Sequence, residues 1–265
     1  KGALARFAGL HALHWIPRVT DAGRAAHEQA ERQEGFPQYQ ILDADEQGRL
    51  APAARRAEYL PIHYIEPAAR RDELGLDLVL TADHAATMAR ARDLGVPAAG
   101  MPFTMRAGTN TTVACRLFIA VYTNLVARDM PGERQTNLAG YAAVVMDIHR
   151  LIESTMSRLR DVKLRGIAWR LIDAGAPGTG KKPALIFQSP EWKEITGPAE
   201  ISELFNFDMA GRHWRLDCQA TPAYLAEHRS WQDWAVLFGG LLVTGLAAAY
   251  LSATLGRSAR IQRLV

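Results

Sequence analysis

The chain has 265 residues, and its 31 basic and 28 acidic side chains leave a net charge of +3 at pH 7. This balance excludes a dedicated nucleic-acid or other polyanion binder, because such proteins carry a large basic excess. With 48% hydrophobic and 22% charged residues, the chain has the composition of a folded globular protein. Two cysteines are too few for a disulfide scaffold or a four-cysteine zinc site.

The outer part of the chain, before an apolar segment near its end, mixes helical and strand patterns. Residues 10–33 predict a helix with a kink near Pro17. The segment 58–67 predicts a strand that its two prolines exclude from the middle of a sheet, and residues 82–94 predict a helix ended by Gly95. The remaining predictions are strands at 39–50 (with a polar turn), 111–122, 140–146, 164–173, 184–188, 201–208 and 212–219, and a helix at 147–160.

The apolar segment 234–255 has 22 residues without a charge. As a helix it is ~33 Å long, which is enough to cross the ~30 Å hydrocarbon core of a membrane. Basic residues without an acidic one follow it, so the positive-inside rule places the C-terminus in the cytoplasm and residues 1–230 outside. The alternative is the buried core helix of a soluble protein. Gly245, Ala249 and Ala253 give the helix one face of small residues that could pack against a partner helix.

The chain begins with Lys1 and stops ten residues after the apolar segment. Since its outer part needs an export signal or an earlier span, we expect the outer region and second span of a longer receptor. The alternative is a mature single-span protein with a very short tail.

The segment GAPGTGK at 175–181 fits most of a phosphate-binding loop. Lys182 stands where that loop needs a serine or threonine for Mg²⁺, and a strand rather than a helix is predicted next. We therefore interpret the segment as a hairpin turn, and a membrane-anchored phosphate-loop protein is a minor alternative.

Other chemical motifs are weak. His11 and His14 lack a third ligand nearby, and Cys115 and Cys218 lie in separate strand-rich regions, which favours two buried thiols over a disulfide. The sequence predicts no catalytic residue, no metal site and no cofactor.

Several motifs resemble the CHASE domain, an extracytoplasmic sensory domain of bacterial sensor histidine kinases and diguanylate cyclases that is related to the plant cytokinin receptor sensor domain. They are HWIPRV (14–19), Arg24, Glu28, RAEYLPIHYIEP (56–67), LGLD (74–77), RARDLG (90–95), MPF (101–103) and FIAVY (118–122). The resemblance runs from residue 14 to the apolar segment.

The resemblance implies an α/β (α+β) fold with two tandem PAS-like units. Its parts are a long N-terminal stalk helix (1–34), a membrane-distal PAS-like unit (35–146), a bridging helix (147–160), a membrane-proximal PAS-like unit (161–230), a transmembrane helix (231–255) and a cytoplasmic juxtamembrane segment (256–265). Arg56, Glu66 and Asp77 are motif residues that we expect in structural turns and ion pairs.

The resemblance also implies a small-molecule ligand in the distal unit. In the cytokinin receptors an Asp and a Thr hold an adenine-like ligand, and the corresponding positions here are His84 and Phe118. Because neither residue type is kept, cytokinin is disfavoured, although a pocket is still expected. Its predicted walls are His84, Met88, Phe103, Met105, Phe118, Ala120 and Tyr122. The alternative is that these residues form an ordinary core.

The expected function is ligand sensing by a membrane receptor, with residues 1–230 in the periplasm and the span in the bacterial inner membrane. The output enzyme is expected to be a histidine kinase of two-component signalling, with a diguanylate cyclase as the alternative. The expected partners are a small-molecule ligand, the membrane and a second copy in a homodimer, with residues 10–33 as the dimer contact. A ligand-free structural ectodomain is a further possibility.

Overall fold

The structure is a computed structural model that describes residues 4, 7–45, 47–67, 72–107, 110–123, 130–158, 166–176, 182–195, 197, 201–228 and 232–262. The first unit contains, in chain order, β1 (Leu10–Pro17), β2 (Val19–Thr20), α1 (Arg24–Gln33), β3 (Leu42–Ala44), β4 (Leu50–Pro52), β5 (Glu58–Tyr59), β6 (Tyr64–Glu66), α2 (Ala82–Leu94), β7 (Ala98–Ala99), β8 (Phe103–Ala107), β9 (Asn110–Tyr122), α3 (Pro131–Thr136) and β10 (Leu138–Asp147). There follow α4 (Ile148–Arg158), β11 (Ile167–Gly175), β12 (Ala184–Gln188), a 3-10 helix (Pro190–Glu194), β13 (Ser202–Met209), β14 (Arg212–Ala220), α5 (Pro222–His228) and α6 (Gln232–Gln262).

Each unit is built around one antiparallel sheet. In the first, the strand order is β6-β1-β10-β9-β7, and β8 also pairs with β9. In the second, the order is β12-β11-β14-β13. The predicted α/β class is therefore confirmed, and β6 lies at the sheet edge that its neighbouring prolines predict.

Two hydrophobic clusters cover the two faces of β9. The first core lies on the α2 side and comprises Ile16, Leu60, Ile62, Ile65, Leu78, Met88, Ala91, Ala98, Phe118, Leu138, Tyr141 and Ala143. The interunit core lies on the other side and joins α4 and the second sheet to the first unit through Ala99, Cys115, Ile148 and Trp214. Because side chains alternate along a strand, neighbouring residues of β9 pack in different cores.

The predicted stalk helix over residues 10–33 is wrong for its first half. Residues 10–17 form β1, which pairs on one edge with β10 and on the other with β6. Only Arg24–Gln33 is helical, as α1. Along this strand Ala12, His14 and Ile16 are buried and the residues between them are half-buried, so neither face is fully exposed and the sequence lacks the clear polar alternation of a half-exposed strand. Residues 10–17 therefore belong to the first sheet rather than to a separate stalk helix, and the dimer contact through residues 10–33 stays a prediction.

Most other predicted elements are found close to their expected bounds. The helix α2 spans the predicted residues and ends at Gly95, whose φ of 66° is the left-handed conformation of a glycine cap. The strand β12 also has its predicted bounds. Short elements without a distinct pattern, namely β7, β8, α3 and α5, were not predicted.

The glycine-rich segment connects two strands. The strand β11 pairs antiparallel with β12, with Asp173 opposite Ala184, while residues 177–181 lie outside the described part of the chain. A phosphate-binding loop leads into a helix whose N-terminus holds the phosphate. The strands that flank the segment pair as the hairpin interpretation predicts, and a strand rather than the helix of a phosphate-binding loop follows it.

The helix α6 has the properties of a membrane span. Over Trp234–Leu251 its mean hydropathy is 1.8, and none of this window is buried. By length and composition it is the one helix in the described chain that could cross a membrane. A core helix of a soluble protein would be covered by other elements, so that alternative is excluded for these residues.

Motif residues of the first unit form a structural ion-pair network. Arg56 contacts the carboxylate of Asp77 at 2.6 Å and that of Asp43 at 2.5 Å. The guanidinium groups of Arg24 and Arg56 lie 5.0 and 4.8 Å from the ring centre of Tyr59. The expected role of the motif in turns and ion pairs is therefore confirmed for Arg56 and Asp77.

Candidate functional site

The candidate site lies where α2, β8 and β9 meet. His84 and Met88 are one turn apart on α2, and the side chain of Met88 is buried in the first core together with Phe118 of β9. The His84 and Phe118 rings contact edge to face, with centroids 5.8 Å apart. The two positions that the family resemblance singled out are thus neighbours in space.

His84 is a neutral side chain with an unused hydrogen-bonding atom. Burial, followed by the positive charge of Arg116, lowers the pKa of His84 to about 4. Its Nε2 lies 3.5 Å from Nη1 of Arg116, and since a guanidinium only donates, the ring proton belongs on Nδ1. That Nδ1 is buried and has no hydrogen-bond partner in the described part of the chain. The site therefore offers one buried N–H donor.

Arg116 places a positive charge beside this donor. Its side chain is 9% exposed, and its Nη2 lies 3.4 Å from Oε2 of Glu73. The guanidinium also lies 5.8 Å from the ring centre of Phe103. Charge-assisted hydrogen bonds are usually about 2.7–2.9 Å long, so the contact with Glu73 is a loose one.

The arrangement suits a ligand with an acidic and an apolar part. Arg116 and His84 offer donors to a carboxylate or similar acceptor, while the half-buried Phe103 provides aromatic surface and Phe118 is fully buried in the first core. The neighbouring carboxylate of Asp83 accepts the backbone N–H of Met101 at 2.7 Å. Asp83 therefore holds the chain segment that leads into β8.

The seven predicted pocket residues occupy two parts of the same sheet face. His84, Met88 and Phe118 lie together, while Ala120 and Tyr122 pack against the first core further along β9. The Tyr122 hydroxyl donates to the carbonyl of Arg92 at 2.8 Å.

The other two predicted residues, Phe103 and Met105, belong to a smaller cluster with Ala12, Ala114 and Val145. Whether the seven residues contact a ligand stays a prediction.

Sequence reasoning missed Arg116 and Glu73. A signal existed for Arg116, since alternation along β9 places it on the same face as Phe118. For Glu73 no sequence signal was available, because it lies 43 residues from Arg116 and reaches the site through the connection before α2.

The opposite face of β9 contacts the second unit. Cys115, next to Arg116, packs in the interunit core with Ile148 and Trp214. The N–H of Ala99 in β7 donates to the carbonyl of Ala210 at 2.8 Å. A single strand therefore carries site residues on one face and interunit contacts on the other.

A groove of about 1090 Å³ lies elsewhere, between residues 7–10, α4 and the second sheet. His149 and Glu153 pair with each other there at 3.0 Å, and the rings of Trp169 and Phe187 stack with centroids 4.8 Å apart. None of the predicted pocket residues lines this groove. We regard it as the cleft between the two units because its polar and aromatic groups already contact one another.

The two cysteines are free, as the sequence predicts, but only Cys115 is buried, whereas Cys218 is half-buried. Burial raises the pKa of Cys115 to about 12. The thiol is therefore protonated and poorly nucleophilic at neutral pH.

Comparison with known proteins gives a match to one family model and likenesses to several solved structures. The sequence model of the CHASE domain matches residues 3–187, which include the whole candidate site. The periplasmic sensory domain of the Campylobacter jejuni chemoreceptor Tlp1 aligns with a TM-score of 0.43 and 9% identity, over 83% of this chain and 75% of its own. A structure titled methyl-accepting chemotaxis protein X gives 0.38 and 12%, over 82% and 77%. No curated protein matches the chain.

Proposed function

Since the chain belongs to the CHASE domain family and carries the extracytoplasmic sensory region of a membrane receptor, we propose that its first unit senses a small anionic molecule. The carboxylate of this ligand binds Arg116 and the Nδ1–H of His84, and its apolar part contacts Phe103 and Phe118. The observation that carries the proposal is the buried Nδ1–H of His84, which has no hydrogen-bond partner among the described residues, beside the buried guanidinium of Arg116.

The chemistry of the two groups supports an anion over a purine. A purine N–H needs an acceptor such as a carboxylate, whereas Arg116 only donates and the buried His84 nitrogen carries a proton. A ligand carboxylate would receive charge-assisted hydrogen bonds from both groups, in a place where little water competes. Glu73 would then shift aside or share the guanidinium with the ligand.

A thermal-unfolding screen of the full chain in detergent micelles tests the proposal. The probes are acetate, succinate, benzoate, indole-3-acetate and acidic amino acids, with matched amides as neutral controls. A ligand at 100 times its Kd stabilises the folded state by about 2.7 kcal/mol, which raises the melting temperature by roughly 5–10 °C in a domain of this size. We expect such a shift from at least one acid and none from its amide.

Variants locate the binding. Losing a hydrogen bond to a charged group costs about 1.5–3 kcal/mol, so Arg116→Gln should weaken binding of the identified acid roughly 10- to 100-fold. The matched control is Arg170→Gln, because Arg170 also pairs with a carboxylate, at 2.8 Å from Asp217, and lies over the Trp192 ring. Equal losses in both variants, or a preference for the amide, would contradict the proposal.

Ligand binding is proposed to reach the membrane through β9 and the second unit. The ligand shifts a two-state equilibrium of the site face, and the interunit core on the other face of β9 passes the change to the second sheet and α6. Trp214→Ala removes a large buried side chain of the interunit core. It should leave ligand affinity within about threefold of wild type while abolishing the response of a downstream reporter, since Trp214 lies outside the site. An unchanged response would contradict this route.

The receptor is proposed to be a homodimer in the bacterial inner membrane, with residues 1–230 in the periplasm and the end of α6 in the cytoplasm. The basic residues after the apolar segment support this orientation, and the small-residue face through Gly245 and Ala249 supports helix pairing. A reporter fused after Val265 should be active only as a cytoplasmic protein, such as green fluorescent protein, and not as alkaline phosphatase. The opposite result would reverse the orientation.

The output is proposed to be a sensor histidine kinase, with a diguanylate cyclase as the alternative. The support is that the chain belongs to the CHASE domain family, which serves both kinds of output enzyme. Ligand-dependent phosphate transfer from ATP in membranes containing the whole receptor indicates the kinase, whereas formation of cyclic di-GMP from GTP indicates the cyclase.

A further inference from the structure

Three metal-ligating side chains meet between α1 and the connection from β5 to β6. His27 and Glu31 lie four residues apart on one face of α1, and His63 approaches from the connection. One ligand atom from each of the three lies within 4.8 Å of the other two. The sequence suggested no metal site here because 32 residues separate Glu31 from His63.

The local contacts suit a metal better than a simple ion pair. Glu31 is 3% exposed, although carboxylates are seldom buried without strong partners. Nδ1 of His63 lies 2.9 Å from Oε1 of Glu31, yet this buried nitrogen does not form a hydrogen bond of acceptable geometry. A nitrogen and an oxygen that face each other without a proper hydrogen bond are what two ligands of one ion present when the ion is absent.

The two imidazoles also lie close together. Their ring centroids are 5.7 Å apart. Imidazole nitrogens are good ligands for zinc and similar ions, so two rings this close can face one ion.

Neighbouring groups hold the three side chains in place, and one side of the cluster is open to solvent. The Tyr39 hydroxyl lies 3.1 Å from Nε2 of His27, and Arg32 binds the Tyr39 carbonyl at 2.9 Å. Such outer groups orient metal ligands. The side chain of His63 is 31% exposed, which leaves a solvent side for a water molecule as the fourth ligand.

We propose that His27, Glu31 and His63 bind a divalent first-row transition metal ion such as Zn²⁺, which ties α1 to the β5–β6 connection. A set of two histidines and one glutamate is a known zinc donor set, and nitrogen donors disfavour Mg²⁺ and Ca²⁺. Tetrahedral bonds of about 2.0–2.1 Å place ligand atoms roughly 3.3 Å apart. Side-chain rotations that move each ligand atom by about 1 Å would bring the three atoms to that spacing.

The test uses the full chain without a histidine tag, in detergent micelles and freed of metal with a chelator. Zn²⁺ should bind with a stoichiometry of one per chain and raise the melting temperature, whereas Mg²⁺ at the same concentration should not. Co²⁺ should give the intense visible absorption of a four-coordinate site. Failure of the wild-type chain to bind Zn²⁺ at micromolar concentration overturns the proposal without any variant.

Variants then assign the ligands. His63→Ala and the nearly isosteric Glu31→Gln should each weaken Zn²⁺ binding by about 100-fold or more, since even the loss of a supporting outer group costs 10- to 100-fold. The matched control is His149→Ala, because His149 and Glu153 have the same four-residue spacing on α4 and are both exposed. Circular dichroism of each metal-free variant shows that it is folded. Zn²⁺ affinity that survives in both folded variants, or that His149→Ala removes, refutes the assignment.

Discussion

The carboxylate of Asp77 links three parts of the first unit, so its removal is a sharp test of how the family motif acts. Its side chain is fully buried and lies 2.6 Å from Nη2 of Arg56. Its Oδ1 also accepts the backbone N–H groups of Leu60 and Val79, at 3.1 and 3.0 Å. Truncation by Asp77→Ala therefore leaves two amide donors and one side of a half-buried arginine without this acceptor.

The expected loss of folding free energy follows from these contacts. Each buried donor left unsatisfied costs about 1–3 kcal/mol, and breaking a buried ion pair costs about 3–5 kcal/mol. Since Arg56 keeps its 2.5 Å contact with Asp43, we expect about 4 kcal/mol in total for Asp77→Ala. Asp77→Asn retains an oxygen for the two N–H groups and loses only the charge, so about 1–2 kcal/mol is expected.

Urea unfolding of the full chain in detergent, followed by tryptophan fluorescence, measures the effect. With a denaturant slope of about 2–3 kcal/mol per molar, Asp77→Ala should lower the midpoint by roughly 1.5 M. The control is Asp208→Ala, whose carboxylate is 73% exposed and should contribute no more than about 1 kcal/mol. If Asp77→Ala unfolds at the midpoint of the Asp208 variant, or if the Asn variant is the less stable of the two, the reasoning about this network is refuted.

Three further predictions concern single positions. The pKa of His84 falls from 6.5 to about 4 on folding, so the unfolded chain takes up the proton first, and stability should be fully present above pH 6.5 and decrease by up to roughly 3 kcal/mol as the pH falls towards 4. His84→Gln should flatten this pH dependence of urea unfolding, whereas His149→Gln should not. Gly75→Ala should destabilise the fold by about 2 kcal/mol, because Gly75 has φ of 81° and a Cβ there would lie 2.3 Å from a backbone carbonyl oxygen; Gly132→Ala, with nothing within 4 Å, should unfold like wild type. Leu242→Arg near the middle of α6 should cost about 2.5–3.5 kcal/mol of insertion free energy, and a protein that still resists carbonate extraction from membranes would count against the span.

Local patterns predicted the elements whose ends are defined by neighbouring residues. The helix α2 was predicted at its observed bounds because Gly95 supplies the left-handed cap that stops it. The turn between β11 and β12 was recognised because the phosphate-loop alternative lacked both a hydroxyl and a helix. In each case the deciding information lies within a few residues of the element.

The N-terminal strand could not be recognised in this way. Residues 10–17 place apolar side chains at spacings that a helix also allows, and the choice between the two depends on pairing with Met146–Gly140 across the sheet. Such pairing joins residues more than 100 positions apart, and tertiary contacts of this kind override local propensity.

The residues of the candidate site also divide into those that local patterns predicted and those that only contacts between distant residues brought together. Counting from two motifs placed His84 and Phe118 at corresponding family positions, and the structure puts their rings 5.8 Å apart. The charged half of the site was not foreseen, because the contact between Arg116 and Glu73 depends on how the connection before α2 folds back over the sheet.

The sequence by itself determined the apolar helix, the helix α2, the strand-rich order of the two units and the family motifs, since each rests on a run of adjacent residues. Only the tertiary structure decided that residues 10–17 complete the first sheet, that Arg116 stands beside the neutral His84, and that His27 and Glu31 meet His63. These features depend on contacts between distant parts of the chain, where burial and neighbouring charges set the properties of each side chain.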